Sequence, residues 1–206
     1  MTEPGRDEPL VAARTALLVI DAQNWVMDET NRQPRPEFYE DARTVAVPNI
    51  QRLIAAARGA GAEIVYTVME NATRDGRDRS LDYKLSGFSI AKGSWDAKVI
   101  DALAPGDDEM VIPKTSSSLF NSTNFDYLMR NIGIGTIIAT GFLTDQCVDH
   151  TIRDGADRGY RMICPDDACA TDTRARHEAA LNAFRGYCRM VPTETLVREL
   201  AARAGY

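Results

Sequence analysis

Residues 15–21 read TALLVID: six almost wholly apolar residues, Thr15–Ile20, closed by a carboxylate at Asp21. A strand with one wet face alternates apolar and polar residues, whereas an unbroken apolar run suits a strand covered on both faces. The pattern returns at Glu63–Met69 (EIVYTVM), Met110–Pro113, Thr136–Thr140 (TIIAT), Tyr160–Cys164 and, in short form, Cys188–Val191. Helical stretches lie between these runs. They cover 40–60, closed by Arg58-Gly59-Ala60-Gly61; a stretch near Trp95–Leu103 before the turn Pro105-Gly106; Asn124–Asn131, closed by Gly133; Thr144–Arg158, closed by Gly159; Arg174–Phe184; and a last helix from Thr193. Strands alternating with helices predict an α/β fold, a three-layer α/β/α domain around a six-stranded parallel sheet. Right-handed crossovers favour the strand order 3-2-1-4-5-6.

With 206 residues the chain has room for one domain, expected over 14–206 behind a flexible arm at 1–13. A 44% hydrophobic and 26% charged composition is that of a globular protein. The net charge of −6 argues against nucleic acid or an anionic membrane as partner. No run of about 18 apolar residues offers a membrane span, and MTEPGRDEPLVAAR lacks the basic start and apolar stretch of a secretory signal. The expected location is therefore the cytoplasm, with Cys147, Cys164, Cys169 and Cys188 as reduced thiols. Two irregular stretches stand out, Asp28–Phe38 and the longer Glu70–Gly93, the second of lid length.

In an open parallel sheet, ligands sit beyond the carboxyl ends of the strands where the strand order reverses, here between strands 1 and 4. Three polar residues fall near that point: Asp21 after strand 1, Lys114 after strand 3 and Cys147 just past strand 4. Thr144 or Asp145 is a good N-cap, which places Cys147 in a helix's first turn, where free N–H groups favour a thiolate and can hold an oxyanion. Strands 1 and 3 lie roughly 10 Å apart, a gap that a lysine stem narrows. An ammonium there would favour both the thiolate and the carboxylate. Each residue alone has a bland role, as buried thiol, turn cap or surface lysine; together they predict a catalytic Cys-Asp-Lys set.

These residues resemble the isochorismatase-like cysteine hydrolase superfamily. Asp21 in LLVIDAQN, Lys114 in VIPKTSSSLF and Cys147 in TGFLTDQCV match its three motifs in order, and the likeness runs from about Thr15 to Val191. The stretches Ala91–Asp96 and Asn121–Asp126 look most like the ureidoacrylate and biuret amidohydrolase branch, with N-carbamoylsarcosine amidohydrolase a similar relative. The resemblance implies that Asp21 takes the thiol proton and later protonates the leaving amine. It implies that Lys114 holds both partners electrostatically, and that Cys147 attacks a carbonyl to form a thioester. It further implies a cis peptide between Phe142 and Leu143, with the Leu143 and Cys147 N–H groups forming an oxyanion hole, and a homodimer or homotetramer. Nicotinamidases of the superfamily carry an Asp-x-His metal motif after strand 2; here Thr67–Asn71 holds no histidine, so no metal and no cofactor are expected.

The activity expected is therefore hydrolysis of a C–N bond in a small amide, a ureido or N-carbamoyl compound. Vinyl-ether hydrolysis of the isochorismatase kind, a lactam or nicotinamide-type substrate, a thiol redox role and simple ligand binding are the alternatives. Gln23, Asn24, Glu70, Phe120 and Phe142 are the expected substrate contacts; Ser116–Ser118 and an arginine of Arg74–Arg79 are further candidates. His150, three residues after Cys147, is a second possible base. Cys164 and Cys169 lack Cys-x-x-Cys spacing.

Overall fold

The computed structural model describes residues 5–31 and 35–202. Among these, seven strands form one parallel sheet: β1 (Thr15–Ile20), β2 (Glu63–Met69), β3 (Met110–Lys114), β4 (Thr136–Phe142), β5 (Arg161–Pro165), β6 (Cys169–Ala170) and β7 (Arg189–Val191). Their order is β3-β2-β1-β4-β5-β7, with the two-residue β6 pairing with β4. The sheet thus has the expected order and one strand more than expected. The additional β6 aligns Cys169 and Ala170 with Gly141 and Phe142, beyond the part of β4 that pairs with β5. A two-residue strand carries no periodicity that sequence could reveal.

All six residues of β1 are buried, as its apolar run requires. Its side chains alternate between two cores. Leu17 and Val19 join the helices Val47–Ala60 and Thr193–Ala201, while Ala16, Leu18 and Ile20 join Phe125–Asn131, Asp149–Asp157 and Arg174–Phe184. Each covered face removes apolar area from water at about 25 cal/mol per Å², which makes β1 the axis of the molecule and its end a fixed point.

Several elements depart from expectation. The helix expected over 40–60 starts earlier, at Pro36, whose fixed φ suits a first helical turn, and it passes through a wider π turn at Ala42–Ala46 before Val47–Ala60. The expected helix near Trp95–Leu103 is two single 3-10 turns, Trp95–Ala97 and Asp101–Leu103. Between them the chain is held extended against residues 22–24: Asn24 N–H donates to Lys98 O and Ile100 N–H to Ala22 O. Backbone pairing after β1 outweighs local helix propensity there. The first four residues of the expected flexible arm lie outside the described residues. In the rest of it residues 5–9 are exposed, Leu10 is buried, and Arg161 donates to the Glu8 and Pro9 carbonyls. Residues 32–34 of the Asp28–Phe38 stretch also lie outside. Glu70–Gly93 is mostly irregular but carries a short helix, Leu81–Leu85, capped by Ser80 Oγ accepting from Tyr83 N–H. No helix among the described residues is long and apolar enough to cross a membrane.

Candidate active site

The carboxyl ends of β1, β3 and β4 converge. β1 pairs Ile20 with both Thr67 of β2 and Gly141 of β4, and Met69 of β2 pairs with Lys114 of β3. Asp21 leaves β1 at φ 52°, a left-handed turn that its short polar side chain tolerates. Its N–H donates to Thr67 O at 3.0 Å, and Thr67 Oγ1 donates to Asp21 Oδ1 at 2.9 Å. The other carboxylate oxygen lies 2.8 Å from Lys114 Nζ, with both side chains almost entirely out of solvent. Buried charges persist only when paired and hydrogen-bonded, and these two are. Lys114 Nζ also donates to Cys147 Sγ at 3.3 Å, to Tyr83 OH at 3.0 Å and to Ser116 O at 3.1 Å. The structure therefore brings together the three residues expected to act together, from chain positions far apart.

Cys147 lies in a π turn, Thr144–Val148, that leads into the helix Asp149–Asp157. Val148 N–H reaches back five residues to Leu143 O, so the turn is wider than an α turn. Neither expected cap performs that role. Thr144 Oγ1 instead bonds His177 Nδ1 at 2.8 Å, and His177 Nε2 bonds Asp166 O at 3.1 Å. Burial holds the His177 imidazole below its usual range; the neutral ring donates from Nε2 and accepts the threonine hydroxyl at Nδ1. Asp145 accepts from Thr171 Oγ1 and from Arg176 Nε at 2.7 Å. Both would-be caps thus fasten the cysteine turn to the helix Arg174–Phe184 and the segment before it. The Phe142–Leu143 peptide bond is cis.

The electrostatics correct one expectation. A depressed thiol was predicted; burial instead pushes Cys147 up to about 12, with Lys114 opposing and Asp21 adding to the rise. Helix position and a nearby ammonium favour the anion, but full burial beside a carboxylate outweighs them. Burial also works against the Lys114 charge, yet Asp21, Cys147 and Tyr83 more than offset it and leave the ammonium well above its ordinary range. The resting site is thus a neutral thiol beside a paired carboxylate and ammonium.

Asp21 and Cys147 line a tight cavity of about 20 Å³, walled by Trp25, Val26, Arg35, Met69, Phe88, Phe142, Leu143 and Gln146. Of the expected substrate contacts, only Phe142 lines it. Gln23 is fully buried and clamps β2: Nε2 donates to Met69 O and Asp96 O, and Oε1 accepts from Met69 N–H. Asn24 Nδ2 donates to Trp95 O. Glu70 Oε1 accepts from Gly93 N–H and closes the base of the long loop. Phe120 packs edge-on to Phe125 and tilted against Tyr160. Gln23, Asn24 and Glu70 are taken up because a chain leaving a sheet must satisfy its own backbone, and Phe120 because it belongs to the aromatic core. Ser116–Ser118 line a wider neighbouring cavity of about 420 Å³ that shares Phe88 and Gln146 with the first. His150 is exposed and bonds Gln146 O. Arg77 pairs with exposed Asp75, and Arg79 donates to Gly76 and Phe88 carbonyls within the loop. Cys164 and Cys169 are free, their sulfurs 4.0 Å apart. Sequence reading missed Thr67, Tyr83, Trp25, Arg35 and Gln146. Only Thr67, polar near the end of an apolar strand, carried a signal.

A parallel α/β sheet with Asp, Lys and Cys joined at its carboxyl edge defines the class. Residues 15–195 match the Isochorismatase domain, and the chain belongs to the isochorismatase family. It is 32% identical over 189 aligned positions to ureidoacrylate amidohydrolase RutB of Methylorubrum extorquens (strain DSM 6343 / CIP 106787 / DM4), covering 82% of this chain and 75% of that one. It is equally 32% identical to RutB of Klebsiella variicola (strain At-22), covering 82% and 79%. Among solved structures, a cysteine hydrolase from Pseudomonas syringae pv. phaseolicola 1448A superposes with TM-score 0.86 at 28% identity, over 98% of this chain and all of that one. N-carbamoylsarcosine amidase from Thermoplasma acidophilum superposes with TM-score 0.72 at 25% identity, over 88% and 97%.

Proposed function

We propose that this protein is a cysteine amidohydrolase that cleaves a C–N bond of a small ureido or N-carbamoyl compound through a thioester on Cys147. One observation carries the reading: Lys114 Nζ stands 2.8 Å from Asp21 and 3.3 Å from Cys147 Sγ in a buried cluster that opens onto one cavity. Asp21 takes the thiol proton as sulfur attacks the carbonyl, and passes it to the departing nitrogen as the C–N bond breaks. Water then attacks the thioester, Asp21 collects one of its protons, and the thiol is restored as the acid leaves. Lys114 remains charged throughout and keeps the carboxylate and the sulfur in register. The Leu143 and Cys147 N–H groups are assigned to the developing oxyanion. The names of the RutB relatives and of the N-carbamoylsarcosine amidase support the substrate class.

The test is ammonia release across ureidoacrylate, biuret, N-carbamoyl amino acids, nicotinamide and maleamate, with mass spectrometry of Cys147 after rapid quenching. A ureido or carbamoyl substrate is expected to turn over and to leave an acyl adduct on Cys147. Cys147→Ser and Asp21→Asn are expected to lose on the order of 10³-fold or more in kcat. Full activity of Cys147→Ser, or ammonia from none of the five, overturns the proposal.

A further inference from the structure

We infer that Tyr83 is a further catalytic residue, a phenol that the long loop places beside Lys114 and Cys147 to hold the sulfur anion as it forms. This rests on the reading of Cys147 as nucleophile.

The geometry is specific. Tyr83 OH accepts from Lys114 Nζ at 3.0 Å and lies 3.8 Å from Cys147 Sγ, within reach of a hydrogen bond to sulfur. The residue is buried. An ammonium has three N–H groups, and four acceptors surround this one: Asp21 Oδ2, the Tyr83 hydroxyl oxygen, the Ser116 carbonyl oxygen and Cys147 Sγ. The ammonium alone therefore cannot serve the carboxylate and the sulfur fully at every stage. A phenol that accepts from the ammonium has its own hydrogen left to give, and the sulfur is the acceptor in reach. Burial raises the phenol well above its usual range, with Lys114 opposing, so Tyr83 stays protonated and remains a donor.

The rest of the loop fixes the hydroxyl in place. Ser80 N–H bonds Thr115 O next to Lys114, and Ser80 Oγ caps the helix that carries Tyr83. The ring packs edge-on against Phe88, and Phe88 against Trp25. A phenylalanine would fill the same space, and a buried hydroxyl is costly without partners. The partners it has are two of the three reacting residues. During attack no bond to Tyr83 forms or breaks: the thiol proton passes to Asp21, the phenol donates to the emerging thiolate, and that hydrogen bond weakens as the sulfur pair moves into the new S–C bond.

The experiment compares wild type, Tyr83→Phe and Leu81→Ala, the last an exposed position on the same short helix. It measures the pH dependence of iodoacetamide labelling of Cys147 by peptide mass spectrometry, together with kcat, KM and thermal unfolding. A hydrogen bond to a charged group changes an equilibrium by about tenfold or more. Tyr83→Phe is expected to shift the labelling profile upward by about one pH unit, read as about tenfold slower labelling at each pH between 7 and 10, and to lower kcat by about tenfold, with KM and Tm little changed. Leu81→Ala is expected to behave as wild type. An unshifted profile in Tyr83→Phe overturns the assignment, and so does faster labelling or higher kcat, which would mean that the phenol blocks the sulfur. Should Tyr83→Phe melt much earlier than wild type, labelling of wild type and of protein carrying 3-fluorotyrosine decides: an unmoved profile again overturns it. The failure of the parent reading is distinct, for there Cys147→Ser keeps its turnover whatever Tyr83 does.

Discussion

Lys114→Met removes the ammonium while keeping most of the stem, and it is the sharpest test of how the site is held together. The lost charge serves Asp21 at 2.8 Å, and both side chains are almost fully buried. Deleting one partner of a buried ion pair leaves the other uncompensated, at a cost of about 3–5 kcal/mol. A chain of this size changes Tm by roughly 2–4 °C per kcal/mol, so Tm is expected to fall by about 6–20 °C. Asp21→Asn in the same chain removes the stranded anion. The double variant is then expected to melt above Lys114→Met, with a coupling of about 1–3 kcal/mol between the two sites. Circular dichroism melts of the four proteins close the cycle. A Lys114→Met melt within 2 °C of wild type, or a double variant whose loss is the plain sum of the singles, would falsify the paired, desolvated arrangement described here.

Gly141→Ala is expected to yield little folded protein, because φ there is +108° and a Cβ would meet Ile20 O at 2.1 Å. Backbone strain of about 1–3 kcal/mol and overpacking of about 1–3 kcal/mol consume much of a normal stability; soluble yield and Tm report it. Thr67→Val strips Asp21 Oδ1 of its 2.9 Å donor and is expected to cost about 1.5–3 kcal/mol in urea unfolding; an unchanged midpoint would show that another donor replaces it. For pH, Cys147 stands near 12 when folded and near 8.5 when unfolded. Above 8.5 the unfolded chain loses this proton first, so the stability it contributes is complete below 8.5 and drains away as pH rises toward 12. Cys147→Ala is expected to flatten that alkaline decline by up to about 1.4 kcal/mol per pH unit, measured as urea midpoints at pH 8 and 10; parallel slopes in the two proteins would contradict the raised thiol.

The sheet and its order were legible because β1, β2 and β4 are short runs dominated by apolar residues, and because crossover handedness leaves few arrangements. The meeting of Asp21, Lys114 and Cys147 was legible because each sits at or shortly past a strand's carboxyl end, where position along the chain nearly dictates position in space. Beyond the strand ends that link fails. Gln23 and Phe142 both looked like rim residues, yet one is a buried clamp and the other a cavity wall, a difference made by tertiary hydrogen bonds. Tyr83 sits in a charged, turn-rich stretch with no periodicity, and only the fold of the loop turns it inward. The thiol was misjudged because the desolvation around it depends on packing, which local spacing does not encode.

β3 lies at one margin of the sheet, flanked only by β2. Its residues alternate outward and inward, Val111 and Pro113 toward solvent, Ile112 and Lys114 toward the interior. A proline survives there because no neighbour asks for its missing N–H. A marginal strand is also the first to fray. The cation at its tip counters this: its bonds to Asp21, Tyr83, Ser116 and Cys147 moor from within a strand that the sheet holds on one side alone.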